Sequence, residues 1–278
     1  MNSSTQQSEM DAPGFASRYR QFVQAVKRIN QRIAPGLYKS LRYRWGHPAT
    51  MAQIARVVSG PNHGKVQSGP FSGMLCSAAV TGNSIPKMLG VYELELHEIV
   101  EKIIRHGYRL VVDIGCGEGY YLVGLAIRLP AAKLIGYDID PLAQSACAEQ
   151  ARLNNVSDRV KIDGKCDTAE LQRVLEPGAL VISDCEGHEA DLFQPDLVPA
   201  LSRCDILIEL HEMFSPGVTE TLVKRFGPTH DIELIDSAER DPKLYPVLNS
   251  LSPKQQRLAV NEDRFSAMQW AWMRAKAR

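Results

Sequence analysis

An α/β fold is predicted here: a Rossmann-like, mostly parallel seven-stranded sheet with helices on both faces and a helical N-terminal extension. Three observations predict it. From residue 109 on, short apolar runs at 110–114, 133–138, 160–162, 180–183 and 206–210 alternate with spacers of helix length. Parallel strands buried on both faces read as near-continuous apolar runs, and helix-length spacers are their crossover connections. The first run enters a glycine-rich turn, and two later runs, 232–235 and 268–272, can extend the sheet to seven strands.

Taken in order, residues 1–12 are rich in Ser, Gln and Asn and read as a disordered tail. Residues 14–33 read as an amphipathic helix, because Phe15, Tyr19, Phe22, Val23, Val26 and Ile29 recur at helical spacing. Pro35 and Gly36 end it. A second helix is expected over 49–58. The stretch 60–90 is dense in Gly, Ser and Pro and reads as hairpin and loop, with β-like pieces around Val66 and Met74. A helix over 86–105 then carries Leu89, Val91, Leu94, Leu96, Ile99 and Val100. The domain plan is thus a tail at 1–12, a helical and hairpin cap at 13–108, and the α/β domain at 109–278.

Composition narrows the class. The 278 residues are 44% hydrophobic and 23% charged, as in an ordinary soluble globular chain. Formal net charge is zero, but residues 1–65 carry ten Lys/Arg against Glu9 and Asp11, a local charge of +8. No run of 18 apolar residues occurs, so no spanning helix and no membrane partner are expected. The polar N-terminus lacks an apolar signal core. Six dispersed cysteines without C-x-x-C spacing suggest neither a zinc site nor a disulfide framework. A cytoplasmic location fits these features. Nothing in the sequence sets an oligomeric state.

The strongest motif is Val111-Val112-Asp113-Ile114-Gly115-Cys116-Gly117-Glu118-Gly119, a strand running into a glycine turn with a helix opening near Tyr120. Glycines suit a turn that a ligand must approach closely. The dinucleotide fingerprint is G-x-G-x-x-G, whereas this loop is G-x-G-x-G and follows an acid, Asp113. That acid would repel a pyrophosphate and tolerate a cationic ligand. The second motif is Ile135-Gly136-Tyr137-Asp138-Ile139-Asp140-Pro141, with Asp138 lying 19 residues beyond Gly119 at a strand end. A carboxylate there can accept both ribose hydroxyls of a nucleoside, while Asp140 is placed to cap the helix opening at Pro141. The plainer readings are a tight turn without a ligand, and two aspartates serving only turn and cap.

Together these motifs make residues 109–210 resemble a class I S-adenosyl-L-methionine (SAM) dependent methyltransferase. More narrowly, Val181-Ile182-Ser183-Asp184-Cys185-Glu186-Gly187-His188-Glu189, followed by Ile208-Glu209-Leu210-His211, is similar to the FkbM-type methyltransferases. That family has a D-x-E-G-x-E segment after the fourth strand and E-L-H on the fifth. Gly69-Pro70-Phe71-Ser72-Gly73-Met74 and Leu89-Gly90-Val91-Tyr92-Glu93 also resemble segments of its bacterial members, which extends the likeness to 65–275. The resemblance implies SAM as cofactor and O-methylation of a sugar or other hydroxylated small molecule. It implies cofactor contacts from Asp113, Gly115, Cys116, Gly117, Gly119, Asp138 and Ile139, with Tyr92 and Glu93 lining the cofactor mouth.

The acidic segment reads independently as a site. Asp184 and Glu186 follow one strand and Glu209, His211 and Glu212 leave its neighbour, at the sheet end where open α/β folds bind ligands. Strand alternation puts Glu209 and His211 on one side, and such groups could hold an acceptor hydroxyl and remove its proton. His211, Glu186 and Asp184 are therefore the candidate catalytic residues. Glu189, Glu212 and His188 read as solvated surface residues. Asp184, Glu209 and His211 could hold Mg²⁺ or Mn²⁺, although the spacing does not demand a metal; His230 could join but reads as structural. The alternatives are an RNA methyltransferase, favoured by the basic N-terminus, a dehydrogenase, and a non-catalytic SAM-binding scaffold. An N-P-P-Y-type segment is absent after the fourth strand, Cys185 lacks a Pro-Cys or Thr-Cys context, and the glycine spacing is wrong for a dehydrogenase.

Overall fold

The computed structural model describes residues 48–60, 64–76, 84–262 and 268–276. The expected tail at 1–12 and helix at 14–33 lie outside them. By its contacts the chain divides into Met1–Met51 and Ala52–Arg278, and nearly everything described belongs to the second unit.

Its centre is a seven-stranded sheet of order β3-β2-β1-β4-β5-β7-β6. The strands are β1 (Leu110–Ile114), β2 (Lys133–Tyr137), β3 (Val160–Asp163), β4 (Leu180–Ser183), β5 (Asp205–Leu210), β6 (His230–Asp236) and β7 (Gln269–Ala275). Strands β1 to β5 pair in parallel, and β7 runs antiparallel to both β5 and β6. All seven expected strands are present. The late pair is longer than its apolar runs suggested, because cross-strand pairing from His230↔Ala275 to Asp236↔Gln269 recruits the polar ends.

Two cores lie on opposite faces of the sheet, and the two-residue period of β1 shows why. Val111 packs into one core with Leu122, Leu125 and Ile103, whereas Val112 packs into the other with Leu171, Leu222 and Phe226. The first face is covered by α3 (His97–His106), α4 (Tyr120–Arg128) and α5 (Pro141–Leu153), which follow α1 (Pro48–Ser59) and α2 (Ser84–Leu89) in the chain. The second face carries α6 (Thr168–Val174), the short α7 (Glu189–Leu192) and α8 (Val218–Phe226); α9 (Pro253–Ala259) lies in the insertion before β7. Each fully buried Val, Leu or Ile on these faces contributes about 1.5–3 kcal/mol of transfer free energy. Among the described residues no helix is long and apolar enough to cross a membrane.

The expected continuous helix at 86–105 is not formed. It breaks into α2 and α3, with Gly90 (φ 76) and Glu93 (φ 48) left-handed between them. Gly90 passes so close to Ser68 that a Cβ would lie 2.0 Å from the Ser68 carbonyl oxygen. Apolar spacing persisted through the break because Leu89, Val91 and Leu96 are all buried in tertiary contacts, without helical geometry to join them. The β-like pieces near Val66 and Met74 appear as a single bridge, Lys65↔Leu75. Val66, Phe71 and Met74 join the first core, so this segment packs with the sheet domain.

Candidate active site

The site forms at the C-terminal tips of β1, β2, β4 and β5, where the strand order reverses between β2-β1 and β4-β5. Three tips are stitched together by backbone bonds. Gly115 and Cys116 donate to the Tyr137 carbonyl at 2.8 and 3.0 Å, and Asp184 N donates to the Ile114 carbonyl at 2.9 Å. Gly115 (φ 80) lies directly against the β4 tip, where a Cβ would stand 1.8 Å from the Asp184 carbonyl oxygen. Gly115 is thus required by the close approach of the strand tips, whatever the ligand.

Acids ring this loop. Asp138 Oδ2 accepts from Gly117 N at 2.9 Å and Oδ1 from Asp140 N at 2.8 Å. It therefore anchors the loop, while each carboxylate oxygen keeps a lone pair for a further donor. Burial raises its pKa, only partly offset by those two N–H donors. Asp140 caps α5, accepting from Leu142 N at 2.9 Å. Ile139 is half exposed beside them. Asp113 is 3% exposed, and its Oδ2 has no hydrogen-bond partner. Burial first, then Asp184, Asp138 and Glu93, push its pKa up to about 8. Cys116 turns its thiol under the loop, against Gly136, so its contribution there is packing.

Tyr92 and Glu93 stand off any helix, at the N-terminus of α4. Glu93 is buried; its Oε2 accepts from Tyr121 Oη, and its N–H donates to Glu262 Oε1 at 2.8 Å. Tyr92 meets the Tyr120 ring edge-on at 5.4 Å. Lys87 ion-pairs with Glu118 of the glycine loop, with its Nζ 4.4 Å from the Tyr92 ring centroid.

On the other side, β5 delivers His211, 3% exposed. Its Nδ1–H donates to Glu189 Oε1 at 2.5 Å, and Nε2 faces Asp184 Oδ1 (3.4 Å), Glu209 Oε2 (3.7 Å) and Glu186 Oε2 (3.8 Å). Glu189 is fully buried and also accepts from Gly187 N at 3.0 Å, which overturns its reading as a solvated acid. It lies at the start of α7, and the turn around Glu186 (φ 55) and Gly187 folds it inward. Burial alone would raise Glu189, but the bonds from His211 and Gly187 outweigh it and leave its pKa lowered. Burial alone would lower His211, but Glu189, Asp184 and Glu186 outweigh it and leave its pKa raised. Burial and then Asp184 raise Glu186.

Among the other expectations, Glu212 is an exposed acid that accepts from Gly217 N and Thr219 N ahead of α8. His188 is half exposed, 3.9 Å from Asp191. His230 is buried at the opposite end of β5, 2.9 Å from the Cys204 carbonyl oxygen, and so is structural. The donor atoms that could hold a divalent ion come from Asp184, Glu186 and His211, all within 4.8 Å of one another. Glu186 thus takes the place expected for Glu209. Sequence reading missed Glu189, Lys87 and Tyr121; only Glu189 left a signal, as the last acid of D-x-E-G-x-E.

The family-model match falls on the glycine-loop half. Residues 95–182 match the family model described as ribosomal protein L11 methyltransferase (PrmA). The ribosomal protein L11 methyltransferase of Shigella sonnei is 46% identical over 54 residues, 19% of this chain and 18% of the relative. That of Alteromonas mediterranea is 42% identical over 64 residues, 23% and 22% of the two chains. The chain thus spans about a fifth of the length of these curated relatives. A putative O-methyltransferase from Klebsiella pneumoniae is similar in structure with a TM-score of 0.45 and 13% identity, covering 83% of this chain and 91% of that one. The O-methyltransferase from Bacillus cereus in complex with SAH gives 0.44 and 14%, covering 89% and 96%. The likeness to methyltransferases expected from the motifs recurs in the family model and the curated relatives; the narrower FkbM-type likeness does not.

Proposed function

We propose that this protein is a SAM-dependent methyltransferase that methylates an oxygen of a hydroxylated small molecule or sugar. The observation that carries it is the buried Glu189–His211 pair, whose other ring nitrogen, Nε2, faces Asp184, the residue packed against the glycine loop. The cofactor reading fits the residues present. An orphaned Asp113 oxygen within a ring of acids suits a cationic ligand. Asp138 suits ribose hydroxyls, and Gly115, Gly117 and Gly119 suit a close backbone approach. Tyr92 and Glu93 wall the entry, and exposed Ile139 offers an apolar surface to a base. When bound, SAM supplies an electrophilic methyl group on a sulfonium, a leaving group that needs no protonation.

The chain's own residues would then align the acceptor and take its proton. With Nδ1–H held by Glu189, neutral His211 would present the Nε2 lone pair to take the proton of an acceptor hydroxyl placed there. Asp184 and Glu186 position the acceptor and stabilise the imidazolium that results. The FkbM-type reading is supported because both of its acidic segments contribute here, Glu186 and Glu189 from one, Glu209 and His211 from the other. We further propose that the protein acts in the cytoplasm.

A protein acceptor is the second reading, favoured by the names of the curated relatives. The family match ends at residue 182, before the His211 cluster, so it bears on the cofactor half and leaves the acceptor half open. The deciding experiment incubates purified protein and SAM with small-molecule extracts, RNA and ribosomal protein in parallel. Formation of the demethylated cofactor with a methyl ether in the small-molecule fraction supports the proposal. Methylation confined to protein or RNA would sink its O-directed part, and no turnover anywhere would favour a scaffold. Activity lost to chelation and restored by Mg²⁺ would assign Asp184, Glu186 and His211 to a metal.

A further inference from the structure

The glycine-loop side collects negative charge. Burial, and after it Asp184, Asp138 and Glu93, push the Asp113 carboxyl up to about 8. Such a ring suits an ammonium or sulfonium, but the aminoacyl end of SAM also carries a carboxylate, which that ring would repel. A nearby cation would offset that repulsion.

Among the described residues, two largely buried cations bear on these acids: Arg240 through Glu262, whose Oε1 also accepts from Glu93 N, and Lys87 through the glycine loop itself. Arg240 is held by two carboxylates, Glu95 at 2.8 Å and Glu262 at 2.6 Å, and its side chain is 10% exposed. Lys87 is held by one, Glu118, which is itself a member of the glycine loop. Lys87 is also 10% exposed at its side chain, and its ammonium sits 4.4 and 5.6 Å from the ring centroids of Tyr92 and Tyr120. Burying a lysine is costly unless its charge is used. Here an acid and two aromatic faces hold the ammonium at the loop, on a stem that can pivot.

We propose that Lys87 is the residue that receives the α-carboxylate of the cofactor's methionine portion, exchanging its ion pair with Glu118 for one with the ligand. Tyr92 and Tyr120 keep the ammonium in place during the exchange. This rests on the SAM reading above and adds to it a specificity for the intact amino-acid end. Glu118 is then a competitor that holds the lysine ready when no ligand is bound.

The test compares binding of SAM and decarboxylated SAM by titration calorimetry in wild type, Lys87→Met, Lys87→Arg and Glu118→Gln. Wild type should prefer SAM by about tenfold or more, the size of one charge-assisted contact. Lys87→Met should bring the two affinities within about threefold of each other, mainly by weakening SAM, and Lys87→Arg should restore part of the preference. Glu118→Gln should tighten SAM without tightening the decarboxylated form. A wild-type preference that survives in Lys87→Met would overturn the assignment, as would equal binding of both ligands by wild type. Should Lys87→Met not fold, Glu118→Gln decides alone, and an unchanged SAM affinity there counts against the exchange. Wild type binding neither ligand would instead remove the cofactor reading on which the proposal stands.

Discussion

The β1–β2 tip and the β4–β5 tip meet at Gly115 and Asp184, yet they are built by different means. At the first, backbone groups do the shaping: Tyr137's carbonyl clamps two loop amides, and Asp138 answers to Gly117 and Asp140 through their N–H groups. At the second, side chains from two strand tips and a short helix converge, and the imidazole takes its orientation from a buried carboxylate 22 residues away in sequence. The first arrangement rests on backbone groups and the Asp138 carboxylate, the second on side chains that orient one another. Binding and chemistry should therefore separate cleanly under mutation.

Four measurements can break or sharpen that separation, beginning with the largest effect. His211→Ala should lower turnover by about 10²–10⁴-fold, the usual contribution of a general base, and leave cofactor affinity within about threefold. Turnover within about threefold of wild type would mean that alignment alone suffices and that His211 is structural.

Next, Glu189→Gln should cost about 10²-fold, since it frees the ring from its tautomer while leaving Nε2 in place. The pH profile carries the sign. His211 must be neutral to accept a proton, and its raised pKa places the acid limb of the rate above the ordinary histidine value of about 6.5. Removing Glu189 or Glu186 removes an anion that favours the imidazolium, so either variant should move that limb to lower pH. A limb that stays in place in both would show that another group titrates.

Asp138→Ala should weaken SAM about tenfold or more and change turnover at saturation little. Because Asp138 also holds Gly117, a melting curve on the variant separates a lost ligand contact from a loosened loop. Unchanged affinity in a folded variant would end the ribose assignment.

The smallest effect is the pH dependence of cofactor binding. A carboxyl raised to about 8 is mostly protonated at neutral pH in the free protein. A cationic ligand favours its ionised form, so binding should release a proton below that value and tighten as pH rises toward it. Apo stability should move the opposite way. A folded-state pKa raised above the unfolded carboxylate value means stability declines between about pH 4 and 8. Asp113→Asn should flatten both trends, and a slope that persists in it belongs to Asp138 or another neighbour.

Much of the fold was legible because its signals are local. Five parallel strands announced themselves as apolar runs, since burial on both faces leaves no room for polar alternation. The cap on α5 could be read from Asp140-Pro141, and the glycine turn from its spacing, because both obey backbone chemistry within a few residues. The break at Gly90–Glu93 could not be read this way, as it depends on a close approach to Ser68, some twenty residues upstream.

The same physical boundary runs through the site. Chain chemistry alone was enough to place the acids at strand ends and to pair Glu209 with His211 by alternation. Whether a given acid is solvated or buried, however, is a property of what folds over it. Glu189 reads as an ordinary surface carboxylate until the left-handed turn at Glu186 and Gly187 tucks it beneath His211, and Lys87 reads as a helix lysine until α2 lays it against Glu118 and two tyrosine rings. Desolvation and charge pairing fix the protonation and orientation of these groups, and both arise only from contacts between residues distant in the chain.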